Sequence, residues 1–428
     1  MLATALIILI VLLAISVPVA AALGTLGLAL SQFYAALPLH RVVGEQSWTV
    51  STSFILVAVP LFILLGEIMM RTGIASRMYS AMIQWLSWLP GGLMHSNIGA
   101  CALFSATSGS SVATAATVGT VAMGEIKRFG YNERLFLGTL AAGGTLGILI
   151  PPSINLIVYG ALTDTSIPQL YLAGLIPGIC LSLIFMATVV IACLIRRDFG
   201  GRTVETSWEE RLATAPDVFP PLLIFLVVIG SIYAGIATPT ESAALGVVGA
   251  LLIAAIRRQL SISMLREALE GTMRTTAMVM AILLAAYFLN FVISSIGLTR
   301  YIDTLIADLG ATPLQTLIVI ILFYLVIGMF LETLSMMVAT VPVIAPIIIN
   351  LGYDPVWFGI LVMLLVETAM ITPPVGINLF VVQSVRGSGD VHDPMIGAIP
   401  FIIALLIMIA LLVIYPEIAL FLPSVASG

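Results

Sequence analysis

Charge is what this sequence has least of. Acidic and basic residues fill 9% of its 428 positions, hydrophobic ones fill 61%, and the mean hydropathy is +1.18. A soluble domain carries roughly 25% charged residues, so the sixteen basic and twenty-one acidic side chains here cannot coat a water-soluble body. That excludes a cytosolic enzyme or a nucleic-acid binder. Lysine is nearly absent, with Lys127 alone. The three cysteines, Cys101, Cys180 and Cys193, sit in apolar stretches and argue against a disulfide framework. His40, His95 and His392 are scattered without metal-ligand spacing. No phosphate-binding lysine loop, no nucleophile-elbow serine and no zinc motif is present, so ATP hydrolysis and proteolysis have no candidate machinery in this chain and it is not expected to be an enzyme. Met1 to Val17 lacks a basic n-region and runs on into more apolar sequence, so no cleavable signal is expected.

What is there is apolar sequence from end to end, in runs longer than an alternating barrel strand provides. The expected class is an all-α polytopic membrane protein. Basic residues fall into clusters: Arg71 and Arg77; Lys127, Arg128 and Arg134; Arg196, Arg197, Arg202 and Arg211; Arg257, Arg258, Arg266 and Arg274. The positive-inside rule puts all four in the cytoplasm. The stretch 219–256 is then a two-helix excursion turning at Thr238-Pro239-Thr240-Glu241, and the polar segment 198–217 reads as the linker between halves. The same constraint makes 92–107 and 111–126 go in and come back out. At about 16 residues each arm reaches roughly 24 Å, short of a full crossing. With Ser105 to Ser111 between them, they read as a re-entrant hairpin with a polar tip.

An internal repeat supports that hairpin. Gly130-Tyr131 precedes Pro151-Pro152 as Gly352-Tyr353 precedes Pro373-Pro374, at a constant offset of 222. After one inserted residue, Ile154-Asn155 matches Ile377-Asn378, and Gly174, Ile176, Pro177 and Ile179 match Gly397, Ile399, Pro400 and Ile402. The counterparts of Lys127, Arg128 and Arg134 are Ile349, Asn350 and Val356, so the second copy has lost its positive loop and faces the other side. The expected divisions are N-terminal scaffold helices at 1–77 and a first repeat at 78–195, with hairpin 92–126 and broken helix 135–162. A linker with central scaffold helices follows at 196–274, then an inverted second repeat at 275–415, with hairpin 314–349 and broken helix 356–385, and a tail at 416–428.

Inverted repeats with broken helices mark secondary transporters that hold substrate near the bilayer midplane. Pro-Pro inside an apolar run removes backbone donors, and unwound backbone at membrane depth is tolerated only where it is buried or lines a cavity. Freed carbonyls beside Ser, Thr and Asn oxygens suit a hard monovalent cation, and half-helix N-termini suit a carboxylate. A plain proline kink recapped by hydroxyls is the blander alternative, weakened by the symmetric pair. Glu332, at the second tip, reads as a contact for cation, proton or substrate, since an unpaired carboxylate there costs at least about 2.5 kcal/mol; Glu367 lies in similarly apolar sequence. Glu67 lies at i,i+4 from Arg71 and reads as an interfacial ion pair, and Glu241 as a helix cap.

At these residues a family resemblance emerges. Pro60-Leu61-Phe62-Ile63-Leu64-Leu65-Gly66-Glu67, Ser105–Ser111, Ile150-Pro151-Pro152-Ser153, Ala237 to Ala244 and Ile371 to Asn378 resemble, in order and across essentially the whole chain, the large membrane subunit of tripartite ATP-independent periplasmic (TRAP) transporters, the DctM-like family. The resemblance implies an elevator-type carrier of ion-transporter-superfamily architecture in the bacterial inner membrane. It also implies a separate four-helix DctQ-like membrane subunit and a DctP-like periplasmic binding protein that delivers a carboxylate, with sodium as coupling ion. Carried over, one sodium site draws on Ser108, Gly109, Gly147, Pro151 and Asn155. A second draws on Gly328, Thr333, Thr368, Thr372, Pro374 and Gly376. Substrate contacts fall on Ser110, Ser153 and Glu332. The competing reading is a stand-alone sodium- or proton-coupled anion symporter or antiporter of the same architecture; a scaffold or receptor has no use for two inverted polar-tipped hairpins.

Overall fold

Prolines, glycines and capping side chains punctuate the chain into twenty α-helices. The computed structural model describes residues 1–202, 204, 206–308 and 310–426, and among these no strand forms. The first half runs α1 (Leu2–Ala14), α2 (Val19–Tyr34), α3 (Val43–Ser51), α4 (Ala58–Arg71) and α5 (Ile74–Leu86). A hairpin follows, α6 (Leu93–Ser108) and α7 (Ser111–Phe129), then a helix broken into α8 (Glu133–Leu149) and α9 (Ile154–Thr163), and then α10 (Ile167–Ile195). The second half runs α11 (Trp208–Tyr233), α12 (Pro239–Ile256), α13 (Ile262–Ser295) and α14 (Leu298–Asp308). Its hairpin is α15 (Pro313–Gly328) and α16 (Thr333–Asn350), its broken helix α17 (Pro355–Ile371) and α18 (Ile377–Arg386), and α19 (His392–Ile414) and α20 (Glu417–Ala426) close the chain. Under the offset of 222, Glu133 maps to Pro355 and Leu149 to Ile371; after the inserted residue, Ile154 maps to Ile377 and Thr163 to Arg386. The repeat is structural, helix end for helix end.

Its inversion shows in which ends meet. Arg386, at the end of α18, bonds Glu133 at the start of α8 at 2.9 Å. At the opposite face Tyr159, near the end of α9, donates to the carbonyl of Pro355 at the start of α17 at 2.7 Å. The two broken helices therefore lie antiparallel. The basic clusters gather on one side through direct contacts: Arg71 with Glu67 and Glu267, Arg257 with Asp217, Arg211 with the Gln84 carbonyl, and Arg202 N–H with the Phe129 carbonyl. With Arg386 they make fourteen of the sixteen cations, leaving Arg41 and Arg300 across the molecule.

Among the described residues seven helices are long and apolar enough to cross a membrane, and the bent pair α8–α9 makes an eighth. Neither arm of the first hairpin is among them. α6, at 16 residues, ends on Gly109 in left-handed backbone (φ +59°), a conformation that costs a side chain about 1 kcal/mol or more. Ser110 then caps α7 by accepting from the Ala113 N–H. In the second hairpin α16 alone is of spanning length, with Pro342 and Pro346 inside it. α8 and α17 are buried nearly all round, as expected of helices that are apolar on every face. They form the centre of a hairpin body, with α6 and α7 packed on α8, α15 and α16 on α17, α18 against α7 and α9 against α16. A second body, the frame, consists of α2, α4, α12 and α13 packed on one another.

The excursion at 219–256 is present: α11 and α12 are joined at a capping box in which Thr238 and Glu241 satisfy each other's backbone N–H groups, so Glu241 is a cap. Glu67 and Arg71 form the expected ion pair. The linker is shorter than 198–217. Ser207 and Glu210 make another capping box, so Glu209, Glu210 and Asp217 are already in α11, whose start is held to α5 by Arg211. Acidic residues in a first turn favour the helix rather than a loop. The tail expected at 416–428 contains α20; Ser427 and Gly428 lie outside the described residues.

Candidate functional site

A cavity of about 880 Å³ lies between the hairpin body and the frame. Its frame wall is Ile63, Gly66, Met70, Met278 and Ile282, apolar but for Glu67 and Thr275. Its opposite wall carries most of the polar lining, Ser108 to Ser111 from the first tip, Asn155 from the first break, and Glu332, Thr333 and Ser335 from the second tip, among apolar side chains such as Val112, Met370 and Ile377. Pro18, Glu67, Met70 and Thr275 carry its lining to the level of Arg71 and Arg274, the arginine-rich side. Across the molecule the Tyr287 hydroxyl donates to the Ala161 carbonyl at 2.7 Å, joining frame to hairpin body.

The first tip and the first break touch through backbone. A Cβ on Gly109 would sit 2.8 Å from the Pro152 carbonyl oxygen, and one on Gly147 would lie 3.0–3.1 Å from the Ser110 carbonyl and the Ser111 nitrogen. Ser108, Gly109, Gly147, Pro151 and Asn155 thus stand together, as do Ser110 and Ser153. Pro151 and Pro152 are joined by a cis bond, and the whole break is buried. Ser153 caps α9, yet its Oγ has no hydrogen-bond partner, so its lone pairs are open. The Ser108 hydroxyl bonds Thr114 at 3.0 Å, a partner that the sequence reading missed. Gly66 was missed as a site residue too: a Cβ there would lie 3.0 Å from the Ser108 carbonyl.

At the second break, Gly328 lies against Ala369 in the last turn of α17, which carries Thr368 and leads into Thr372. The Thr372 hydroxyl donates to the Thr368 carbonyl at 2.6 Å and keeps its lone pairs free; the Gly376 backbone approaches the Thr372 carbonyl. Thr333 Oγ1 is buried without a partner. This break is looser, with Pro374 and Val375 exposed. Asn378, the repeat counterpart of Asn155, is fully buried; its Nδ2 donates to the Ala141 carbonyl at 3.1 Å and its Oδ1 is unpartnered. The repeat itself was the signal for it.

Glu332, expected as a substrate contact, lines the cavity and has a second role. Its carboxylate accepts from both the N–H (3.1 Å) and the hydroxyl (3.0 Å) of Ser335, capping α16. The negative charge is committed to that helix N-terminus, which is therefore closed to a second anion. The N-terminus of α9, which lines the cavity at Ile154 and Asn155 and has no side-chain cap bond from Ser153, remains for a carboxylate. Glu367 is wholly buried in α17, its carboxyl beside the Leu149 backbone at the end of α8. Among those residues no three His, Cys, Asp or Glu side chains converge as a metal site. Apart from Glu367, what converges at the breaks is neutral oxygen, and the orphaned Thr333 hydroxyl fits a hard, singly charged cation, which adds little charge to an apolar interior.

Residues 6–418 match the family described as the tripartite ATP-independent periplasmic transporter, DctM component. A C4-dicarboxylate TRAP transporter large permease protein of Pseudomonas aeruginosa is 34% identical over 385 residues, 90% of either chain. A sialic acid TRAP transporter large permease protein of Vibrio cholerae is 32% identical over 380 residues, 88% of either chain. The crystal structure of the Alcanivorax borkumensis YdaH transporter shares the fold, with a TM-score of 0.65 at 15% identity over 88% of both chains.

Proposed function

The chain belongs to the DctM family, the large permease component of TRAP transporters, and from that membership we propose that it takes up an organic acid by sodium-coupled elevator transport in a bacterial inner membrane. A DctQ-like membrane subunit and a DctP-like binding protein complete the system. The relatives act on a C4-dicarboxylate and a sialic acid, both carboxylates, and a carboxylate is what the N-terminus of α9 suits. The observation that carries the reading is the cavity wall itself, where two hairpin tips and an unwound break present neutral oxygens and a helix N-terminus together.

Ser108, Gly109, Gly147, Pro151 and Asn155 would hold one sodium ion, and Gly328, Thr333, Thr368, Thr372, Pro374 and Gly376 a second. When bound, the ions supply the positive charge that makes a buried carboxylate tolerable. Ser110 and Ser153 orient the substrate, and the apolar frame wall excludes water. The hairpin body carries the site past the frame, and the Tyr287–Ala161 bond is a contact between the two that such travel has to break. Reconstitution tests the tripartite reading: uptake requires the small subunit and a loaded binding protein, and uptake of free substrate by this chain alone would favour a stand-alone symporter.

A further inference from the structure

On the face opposite the arginine clusters, anions meet a hostile surface. Glu45, Asp164, Glu241, Asp354 and Glu417 lie there against only Arg41 and Arg300. A carboxylate arriving from that side is repelled except where a cation is presented. Arg300 is so presented: it lines a second cavity, of about 510 Å³, at the seam between the frame end of α13–α14 and the hairpin-body ends of α9 and α16. Asn290, Ser294 and Thr299 line it from the frame side, and Thr163 and Asp164 from the hairpin body. The guanidinium is exposed and makes no ion pair among the described residues.

We infer that this seam pocket is an outer receiving site for the substrate carboxylate, with Arg300 as its charge and Asn290, Ser294 and Thr299 as hydrogen-bonding walls. The inference rests on the anion-uptake reading above. Field at a cleft of one sign raises the local concentration of the opposite ion, and here one arginine supplies it. Asp164 rides on the moving body. Beside Arg300 it weakens the pocket in the arrangement described here; outward travel of the hairpin body carries it away and strengthens the pocket when substrate is due. The site is thus charged in step with the transport cycle.

The test begins with Ser294→Cys in a Cys180→Ala chain, since Cys101 and Cys193 are buried. Labelling rates are compared for anionic sulfonatoethyl and cationic trimethylammonioethyl methanethiosulfonate. The anionic reagent reacts faster. Arg300→Gln lowers the anionic-to-cationic ratio roughly tenfold, the size expected for one nearby unit charge in a partly solvated cleft. Arg300→Lys keeps the ratio, Asp164→Asn raises it, and Arg41→Gln leaves it unchanged. In the reconstituted system Arg300→Gln raises KM for uptake several-fold with kcat unchanged, and its KM no longer rises with added salt. A labelling ratio within twofold of the parent in Arg300→Gln, or an unchanged KM in an active system, overturns the inference. An inactive wild type would instead count against the transport reading, while the labelling ratios still decide the pocket.

Discussion

Replacing Gly109 by alanine puts the account of the first break under direct strain. Gly109 holds φ +59°, and its absent Cβ would stand 2.8 Å from the Pro152 carbonyl oxygen. Left-handed backbone costs an alanine about 1–2 kcal/mol. The contact with Pro152 adds to this unless tip and break separate by about half an ångström, the amount that restores an ordinary carbon–oxygen distance. In the empty protein the tip can lift and relieve the contact. With sodium bound it cannot, because Ser108, Gly109 and the break must close on one ion. The contact is therefore charged mainly against the bound state. At about 1.4–2 kcal/mol, apparent sodium affinity should fall roughly 10–30-fold. The assay is uptake into proteoliposomes over a sodium titration, with Gly124→Ala as control, since nothing lies within 4 Å of a Cβ there and it is on the same hairpin. A Gly109→Ala titration that overlays the wild type would refute the claim that tip and break close on an ion.

Glu332 offers a separable pair of substitutions. Glu332→Gln keeps an oxygen for the Ser335 N–H and should leave stability nearly unchanged while slowing uptake without altering its ion requirement, whereas Glu332→Ala loses the cap, about 1 kcal/mol; equal melting of the two variants in detergent would dismiss the capping role. Arg386 joins the two repeats through Glu133 and Asp393, with only 8% of its side chain exposed. Arg386→Ala should destabilise by about 1–2 kcal/mol, less than a fully buried pair because Arg134 still reaches Asp393, and Arg386→Lys should not restore the two-sided contact; an unchanged melting temperature would contradict it. Lys127→Cys and Asn350→Cys should label from opposite sides of the membrane with an impermeant reagent, and labelling from one side would end the inverted-repeat argument.

The repeat was legible because Pro-Pro and Gly-Tyr punctuate both copies at one spacing, and helix ends follow such punctuation. Arginine placement gave the sides because desolvation and membrane potential act on each cation singly, without tertiary context. The frame wall was not legible. Ile63, Met278 and Ile282 carry no chemical mark that separates a cavity lining from a lipid-facing face, and only the packing of α4 and α13 decides it. The capping role of Glu332 was hidden for a related reason: a carboxylate in apolar sequence looks costly until the Ser335 N–H and hydroxyl beside it are seen. The start of α11 moved because a capping box at Ser207 outweighs the polar look of the residues after it. Asn378 was within reach, since the offset that pairs the breaks also pairs it with Asn155.

The central claim is that neutral oxygens at two helix breaks bind sodium and couple it to carboxylate uptake. Proteoliposomes holding this chain with its small subunit, supplied with loaded binding protein, allow sodium and proton gradients to be imposed separately. A sodium gradient at matched pH should drive uptake, and Thr372→Ala should shift its sodium dependence to higher concentration. Full uptake driven by a pH gradient in sodium-free buffer would contradict the claim and transfer the coupling to Glu332 or Glu367.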